Sequence, residues 1–122
     1  PGGVSVSDAH GRLEYCNDAL ARIHGLDAPN ELLGQPWTVL YSAEEARRLT
    51  TVAEPIIART GRWQGEAMGR RTDGTLCPLE LTAAPLPSGG VVALVRDVTE
   101  RKAQEELLRT WSLRDELTGL YN

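Results

Sequence analysis

Residues 62–97 read RWQGEAMGRRTDGTLCPLELTAAPLPSGGVVALVRD, and this stretch decides the fold. Three apolar-rich runs, at about 62–71, 76–84 and 91–97, are separated by Asp73-Gly74 and by the tetrapeptide PSGG at residues 87–90. Asp-Gly and Gly-rich segments of this kind form turns between antiparallel strands. The stretch therefore predicts three consecutive antiparallel strands.

Upstream, two shorter runs at residues 4–7 and 12–15 alternate apolar and polar side chains around turn residues 8–11, which predicts a hairpin. Asn17 offers an N-cap for a short helix over residues 18–24. Residues 26–41 predict a loop with one helical turn near 31–33. Ser42 and Glu45 have capping-box spacing at the start of a helix that runs to about residue 59, and Pro55 should kink or divide it.

The segment after residue 98 is charged and helix-prone, and we predict an exposed helix over residues 99–114. An apolar stripe approximates the two-per-heptad seam of a pair of helices, at Ala103, Leu107, Thr110 or Trp111, and Leu117. A helix of this length is marginal alone in water. We therefore expect a homodimer that pairs through this exit helix.

Composition excludes several classes of partner. The 122 residues suffice for one domain with a short appendage, and 41% apolar with 25% charged residues is typical of a folded globular chain. The net charge is -4 and the cations are scattered, so nucleic acid is not an expected partner. Apolar runs fall short of the roughly 20 residues that cross a bilayer, which favours a cytoplasmic chain without membrane contact. Cys16 and Cys77 lack metal-ligand spacing, so we expect buried free thiols and no metal site.

Five local strings occur in an order that is similar to the PAS domain family. They are LEYCNDAL at 13–20, ELLG at 31–34, WQGE at 63–66, RRTDGT at 70–75 and DVT at 97–99. The resemblance implies an α+β fold over residues 1–101: a five-stranded antiparallel sheet with helices on one face and a C-terminal exit helix. It also implies a sensory role in a bacterial signalling protein.

The string DELTGLYN at residues 115–122 matches the D-x-L-T-G-L-x-N run that opens a GGDEF diguanylate cyclase domain. The resemblance implies a truncated start of that domain at 115–122, preceded by a signalling helix linker at 102–114. Because the catalytic residues of that family lie further downstream, we expect the chain itself not to be an enzyme. Its downstream partner would be the cyclase of the same polypeptide, which makes cyclic di-GMP. A histidine kinase output would need a phospho-accepting His in the exit helix, and no His follows His24.

In PAS domains a ligand lies between the helices and the inner face of the sheet. Counting back from Asp73-Gly74 at period two places small residues inward on the third strand. They either leave room for a flat ligand or are filled by large side chains such as Trp37 and Tyr41, and we favour the filled core. The predicted lining comprises Trp37, Tyr41, Ile57, Trp63, Gly65, Ala67, Gly69, Leu79 and Leu81.

The sequence leaves the cofactor open. The G-x-N-C-R-F-L-Q string of photoactive flavin-binding relatives does not occur, which argues against covalent flavin chemistry. Haem-binding relatives take a His from the longer helix, but residues 42–60 contain none, and we interpret His24 as a helix-end residue that contacts exposed carbonyls. A non-covalent flavin, a small organic ligand and no ligand at all remain as alternatives. Glu66, Arg70, Glu80 and Thr82 are predicted on the outer sheet face as solvated or interface positions.

The D-x-T motif is the predicted point of signal transmission, through Asp97, Thr99 and Arg101. Thr99 is expected to cap the exit helix by accepting from amides near Lys102. The resemblance implies that Asp97 ties the last strand to that helix through an Arg such as Arg101. Two alternatives stay open: the motif is only a helix cap, or the domain is a ligand-free dimerisation or protein-docking module.

Overall fold

A computed structural model describes the backbone of residues 2–119 and the side chains of residues 2–112. Within that range, five strands form one antiparallel sheet in the order β2-β1-β5-β4-β3. They are β1 (Gly3–Ser7), β2 (Leu13–Cys16), β3 (Trp63–Arg70), β4 (Leu76–Pro85) and β5 (Val91–Asp97). The predicted five-stranded antiparallel sheet is confirmed.

Three short helices cover the inner face of the sheet, and a fourth leaves it. They are α1 (Asp18–Ile23), α2 (Ala43–Arg48), α3 (Glu54–Thr60) and α4 (Thr99–Gly119). Two 3₁₀ turns, Pro29–Glu31 and Trp37–Leu40, lie in the segment predicted as a loop. Leu20 and Leu49 of the helical side belong to one buried cluster with Leu79 and Leu81 of β4, so the core lies between the helices and the sheet.

The side chain of Asn17 connects β1 to the start of α1. Its Oδ1 accepts hydrogen bonds from the Leu20 amide at 3.0 Å and from the Val4 amide at 2.9 Å. Its Nδ2 donates to the Gly2 carbonyl oxygen at 3.1 Å. One side chain therefore caps α1, as predicted, and also fixes the helix against β1.

The predicted long helix is divided, as Pro55 requires. A π-helical turn, Leu49–Ala53, separates α2 from α3, and Pro55 lies in the first turn of α3. Proline has no amide hydrogen to donate to the preceding turn, so the regular ladder cannot run through it. Thr50 and Thr51 donate their hydroxyl hydrogens to the carbonyls of Ala46 and Arg47, at 2.9 and 3.0 Å.

Side chains alternate on β3 and β4 in the predicted phase. Ala67 and Gly69 are buried on β3, while Cys77, Leu79, Leu81 and Ala83 are buried on β4. Cys16 and Cys77 are both free and buried, as predicted, and burial raises the pKa of each thiol.

Helix α4 projects from the sheet, and every described side chain from residue 103 to residue 112 is exposed. It runs to Gly119, beyond the predicted end at residue 114, because residues 112–118 contain neither Gly nor Pro to stop it. The side chains of the 115–122 motif, and residues 120–122 altogether, lie outside the described residues. Among the described residues, no helix has the length and apolar character needed to span a bilayer.

Gly90 marks the closest approach between the β4–β5 turn and β1. A Cβ atom at this position would lie 2.0 Å from the carbonyl oxygen of Ser7, which is backbone and cannot rotate away. We expect Gly90→Ala to lower the free energy of unfolding by about 3 kcal/mol, since overpacking forces backbone shifts. Urea unfolding measures this, with Gly2→Ala as the matched control, because a Cβ at Gly2 has its nearest contact at 3.7 Å. Equal stability of the two variants would contradict the packing.

Candidate functional site

A cavity of about 390 Å³ lies between the inner face of the sheet and the segment from Trp37 to α3. That volume is within the range of small-molecule sites in proteins. Its walls are largely apolar and aromatic. They include Trp37, Leu40, Tyr41, Leu49, Ala53, Ile57, Trp63, Leu81, Ala83 and Ala93.

The structure brings together part of the predicted lining. Trp37, Tyr41, Ile57, Trp63 and Leu81 line the cavity, whereas the other predicted positions lie outside its lining. Those others are Gly65, Ala67, Gly69 and Leu79.

The small residues of β3 are covered by their own neighbours. A Cβ at Gly65 would lie 2.6 Å from Cζ2 of Trp63, and a Cβ at Gly69 would lie 2.5 Å from Cδ1 of Leu79. The space above these glycines is therefore filled, with Trp63 nearest to Gly65 and Leu79 nearest to Gly69. Tyr41 also lies beside Gly69, with which it forms an isolated antiparallel bridge. Because Trp63 leans along β3, the open space is displaced toward β1 and β5.

Two serines on β1 belong to the cavity and were missed from sequence. Ser5 and Ser7 line it and are buried, while Val4 and Val6 between them are half-buried on the other face. The hydroxyl of Ser7 donates to the Val91 carbonyl oxygen at 3.3 Å. Among the described residues the hydroxyl of Ser5 has no hydrogen-bond partner. The period-two alternation of β1 was correctly predicted. Alternation alone does not show which set of side chains, the serines or the valines, faces the core.

Tyr41 connects the cavity to His24. Its ring contacts Trp37 edge-on at 5.8 Å between centroids and His24 edge-on at 6.5 Å. Burial, with Glu45 and Cys77 nearby, raises the pKa of the Tyr41 hydroxyl far above its usual value. The phenol is therefore neutral at any physiological pH.

His24 is 2% exposed and follows the last turn of α1. Its Nδ1 lies 2.9 Å from the carbonyl oxygen of Arg70, which can only accept, so Nδ1 carries the hydrogen. Nε2 is buried without a partner among the described residues. The predicted carbonyl contact exists, but it is made to β3, not to the end of α1. Burial lowers the pKa of His24, so the ring is held neutral.

The helix joint, residues 97–102, differs in its contacts from the prediction. Oδ1 of Asp97 accepts from the amide of Thr99 at 2.9 Å and from the hydroxyl of Thr99, while Oδ2 lies 3.4 Å from Nη2 of Arg71. The Lys102 amide donates to the Val98 carbonyl oxygen at 2.9 Å. The predicted Thr99 cap is thus wrong: Thr99 is the first residue of α4, and its hydroxyl donates back to Asp97.

Arg101 does not bind Asp97, because at the third position of α4 it points onto the outer sheet face. Nη1 donates to Glu80 at 3.0 Å and Nη2 to Glu66 at 3.1 Å. Lys102 adds a 2.7 Å ion pair with Glu66. Hydrogen bonds from Lys102 and Arg101 lower the pKa values of Glu66 and Glu80 respectively. These outer-face carboxylates, predicted as solvated or interface positions, anchor the exit helix.

The buried neutral His24 predicts a pH dependence of stability. Its folded-state pKa is lowered below 6.5, so the unfolded chain takes up the proton first. The stabilising contribution is present above pH 6.5 and is lost as the pH falls below it. Between about pH 7.5 and 5.5, we expect the wild type to lose more free energy of unfolding than His24→Asn, whose amide nitrogen can replace Nδ1. Exposed His10 supplies the control, His10→Asn, which should keep the wild-type pH dependence. A His24→Asn profile parallel to the wild type would contradict the assignment.

Comparisons with known proteins agree with this architecture. The family profile for the PAS domain matches residues 1–100. Sensor protein FixL of Bradyrhizobium diazoefficiens is 30% identical over 96% of the chain, and the chain spans 24% of the length of that relative. The PAS domain structure from Colwellia psychrerythraea has a TM-score of 0.75 at 21% identity, covering 81% of this chain and 87% of that one. A domain of a sensory box sensor histidine kinase/response regulator from Geobacter sulfurreducens has a TM-score of 0.66 at 25% identity, covering 79% and 82%. With this order of strands and this inner cavity, the chain belongs to the PAS domain family and is a sensory PAS module of the kind found in bacterial signalling proteins.

Proposed function

We propose that this PAS module controls a diguanylate cyclase, and so cyclic di-GMP synthesis, through α4. The observation that carries the proposal is the D-x-L-T-G-L-x-N run at residues 115–122, which begins within the last residues of α4. That run is similar to the opening of a GGDEF domain. The module itself has sensing and transmission roles, and the residues that turn over GTP belong to the domain downstream.

The geometry supports a route from cavity to output. Trp63 and Ala83 line the cavity and are opposite each other in the β3–β4 register. Further along the same strand pair, Glu66 is opposite Glu80, and both receive Arg101 of α4 on the outer face. A ligand that shifts these strands relative to each other therefore acts on the base of the helix. Differential affinity for two such arrangements is what sensing requires.

A homodimer through α4 is part of the proposal. Leu107 and Leu108 of α4 are 58% and 69% exposed. All described side chains of the helix beyond residue 102 are exposed as well. An exposed helix with large apolar side chains is stabilised by packing against a partner. Two cyclase domains must also face each other to form one product.

Since GTP is the substrate of such an enzyme, we place the module in the cytoplasm, without nucleic acid or membrane as partners.

The experiment is a double-mutant cycle on cyclase rate in the full-length parent protein. Ala83→Leu fills the cavity and stands in for a ligand, and Asp97→Ala removes the cap of α4. We expect Ala83→Leu to change the rate of cyclic di-GMP formation with Asp97 present and to change it much less with Asp97→Ala. The end of β5 then no longer holds Thr99 at the start of α4, and of these contacts only those of Arg101 and Lys102 still join the sheet to the helix. Thermal unfolding checks that each variant is folded.

Asp73→Ala is the matched control for the cycle. Asp73 binds the amide and hydroxyl of Thr75 at 2.9 and 2.6 Å, the same arrangement that Asp97 makes with Thr99, but it lies in the β3–β4 hairpin. The effect of Ala83→Leu should persist in this background. An effect of equal size with Asp97→Ala would refute transmission through the helix joint, and no effect in any background would refute sensing through the cavity.

A ligand-free dimerisation or docking module is the second candidate, favoured by the side chains that fill the space above Gly65 and Gly69. Absorbance and native mass spectrometry of protein purified without added cofactor separate the two. The sensory proposal predicts a bound small molecule, or uptake of one on addition. A protein that takes up no ligand of any class would favour the second candidate.

A further inference from the structure

The cavity has an aromatic lining on two sides. Trp37 and Tyr41 contact each other edge-on at 5.8 Å on the helical side, and Trp63 covers β3 on the sheet side. Aromatic ring faces carry a partial negative charge and attract cations. Walls of this kind also pack well against the flat apolar body of a ligand.

The charged groups of the cavity are of one sign. Among the described residues that line it, Asp8 and Glu54 are acidic, and no Lys, Arg or His is present. Asp8 lies in the β1–β2 turn and Glu54 at the start of α3, so the two carboxylates come from separate elements. Their presence makes the cavity an unfavourable site for an anion, which would have no counter-charge there.

Both carboxylates are available to a ligand. Oδ1 of Asp8 accepts from the amides of His10 and Arg12 at 2.9 Å, and these bonds lower the pKa of the carboxyl group. Its Oδ2 accepts no hydrogen bond from the described residues. Glu54 is exposed and has no ion-pair partner within the described part of the chain. The guanidinium of Arg12 donates to the Gly34 carbonyl oxygen at 2.9 Å and does not line the cavity.

Ser5 supplies a further polar group to the lining of the cavity. It is 8% exposed on the inner face of β1, and its hydroxyl has no partner among the described residues. A hydroxyl can accept from an N–H donor as well as donate. An unpartnered hydroxyl on a buried residue, in a lining that also holds two carboxylates, suits a ligand that brings its own hydrogen-bond donors.

We propose that the cavity binds a small organic cation: an amine with a flat apolar body that packs between Trp37 and Trp63, its ammonium group facing Asp8 and Glu54. This inference rests on the proposed function, in which the cavity is the ligand site of the sensor. The proposal excludes anionic cofactors, because their phosphate or carboxylate groups would have no cationic partner among the described lining residues. The net charge of -4 favours the approach of the same class.

Isothermal titration calorimetry with three probes that share the indole-3-ethyl group tests the proposal. Tryptamine is a cation, tryptophol is neutral and indole-3-propionate is an anion, all on the same ring system. We expect tryptamine to bind at least about tenfold more tightly than tryptophol, and indole-3-propionate to bind more weakly than both. Ala83→Leu should abolish binding of tryptamine, which locates it in this cavity. Equal affinities for the three probes, or tightest binding of the anion, would overturn the proposal.

Glu54→Gln measures the contribution of one carboxylate without changing the shape of the side chain. We expect about a fivefold loss of tryptamine affinity and no change for tryptophol, since only the cation interacts with the charge. Glu44→Gln is the matched control, because Glu44 is exposed on α2 and does not line the cavity. An equal effect of both substitutions would show a long-range field and refute a specific contact.

The outcomes separate this inference from the proposed function. If Ala83→Leu alters the cyclase rate of the parent while none of the three probes binds, the sensory function stands and the organic cation is refuted. If tryptamine binds in the expected order while Ala83→Leu leaves the cyclase rate unchanged, the ligand class stands and control of the cyclase through this cavity is refuted.

Discussion

Two carboxylates, Glu66 and Glu80, face each other across β3 and β4 on the outer side of the sheet, and the structure depends on how their charges are compensated. Like charges directly opposite in a sheet repel. Arg101 donates to both, Lys102 pairs with Glu66 and Arg96 pairs with Glu80 at 3.0 Å. Isolated exposed ion pairs contribute little, whereas a shared network with a planar guanidinium holds a defined geometry. The base of α4 is therefore part of the sheet surface.

The opposite side of the same strands carries the cavity, so the two faces of the sheet differ in what they contact. His24 reaches from α1 to the Arg70 carbonyl at the end of β3, and the next residue, Arg71, pairs with Asp97 at 3.4 Å. Residues 70 and 71, at the start of the β3–β4 hairpin, therefore contact both α1 and the end of β5 that leads into α4. Because β5 lies between β1 and β4, the strand that ends at Asp97 joins the two halves of the sheet. The proposed transmission from the cavity to α4 depends on these contacts.

The sequence predicted the strands, their alternation and the cap of α1, because period-two patterns, Asp73-Gly74 and Asn17 act locally. It misassigned contacts that depend on side-chain direction. The glycines of β3 gave no indication that Trp63 leans over Gly65, and the β1 alternation did not say which face holds Ser5. Arg101 lies two residues after the D-x-T motif, yet its partners are 21 and 35 residues away, on β4 and β3. Only tertiary register places such groups together.

Amide hydrogen exchange in Arg101→Gln, with exposed Arg109→Gln as the control, tests most directly whether the outer-face carboxylates hold the exit helix. The account predicts that exchange at residues 102–106 becomes about tenfold faster in Arg101→Gln alone, while the amides of β4 and β5 keep their wild-type rates. Unchanged protection of those helical amides would contradict it, because α4 would then be held by something other than Glu66 and Glu80.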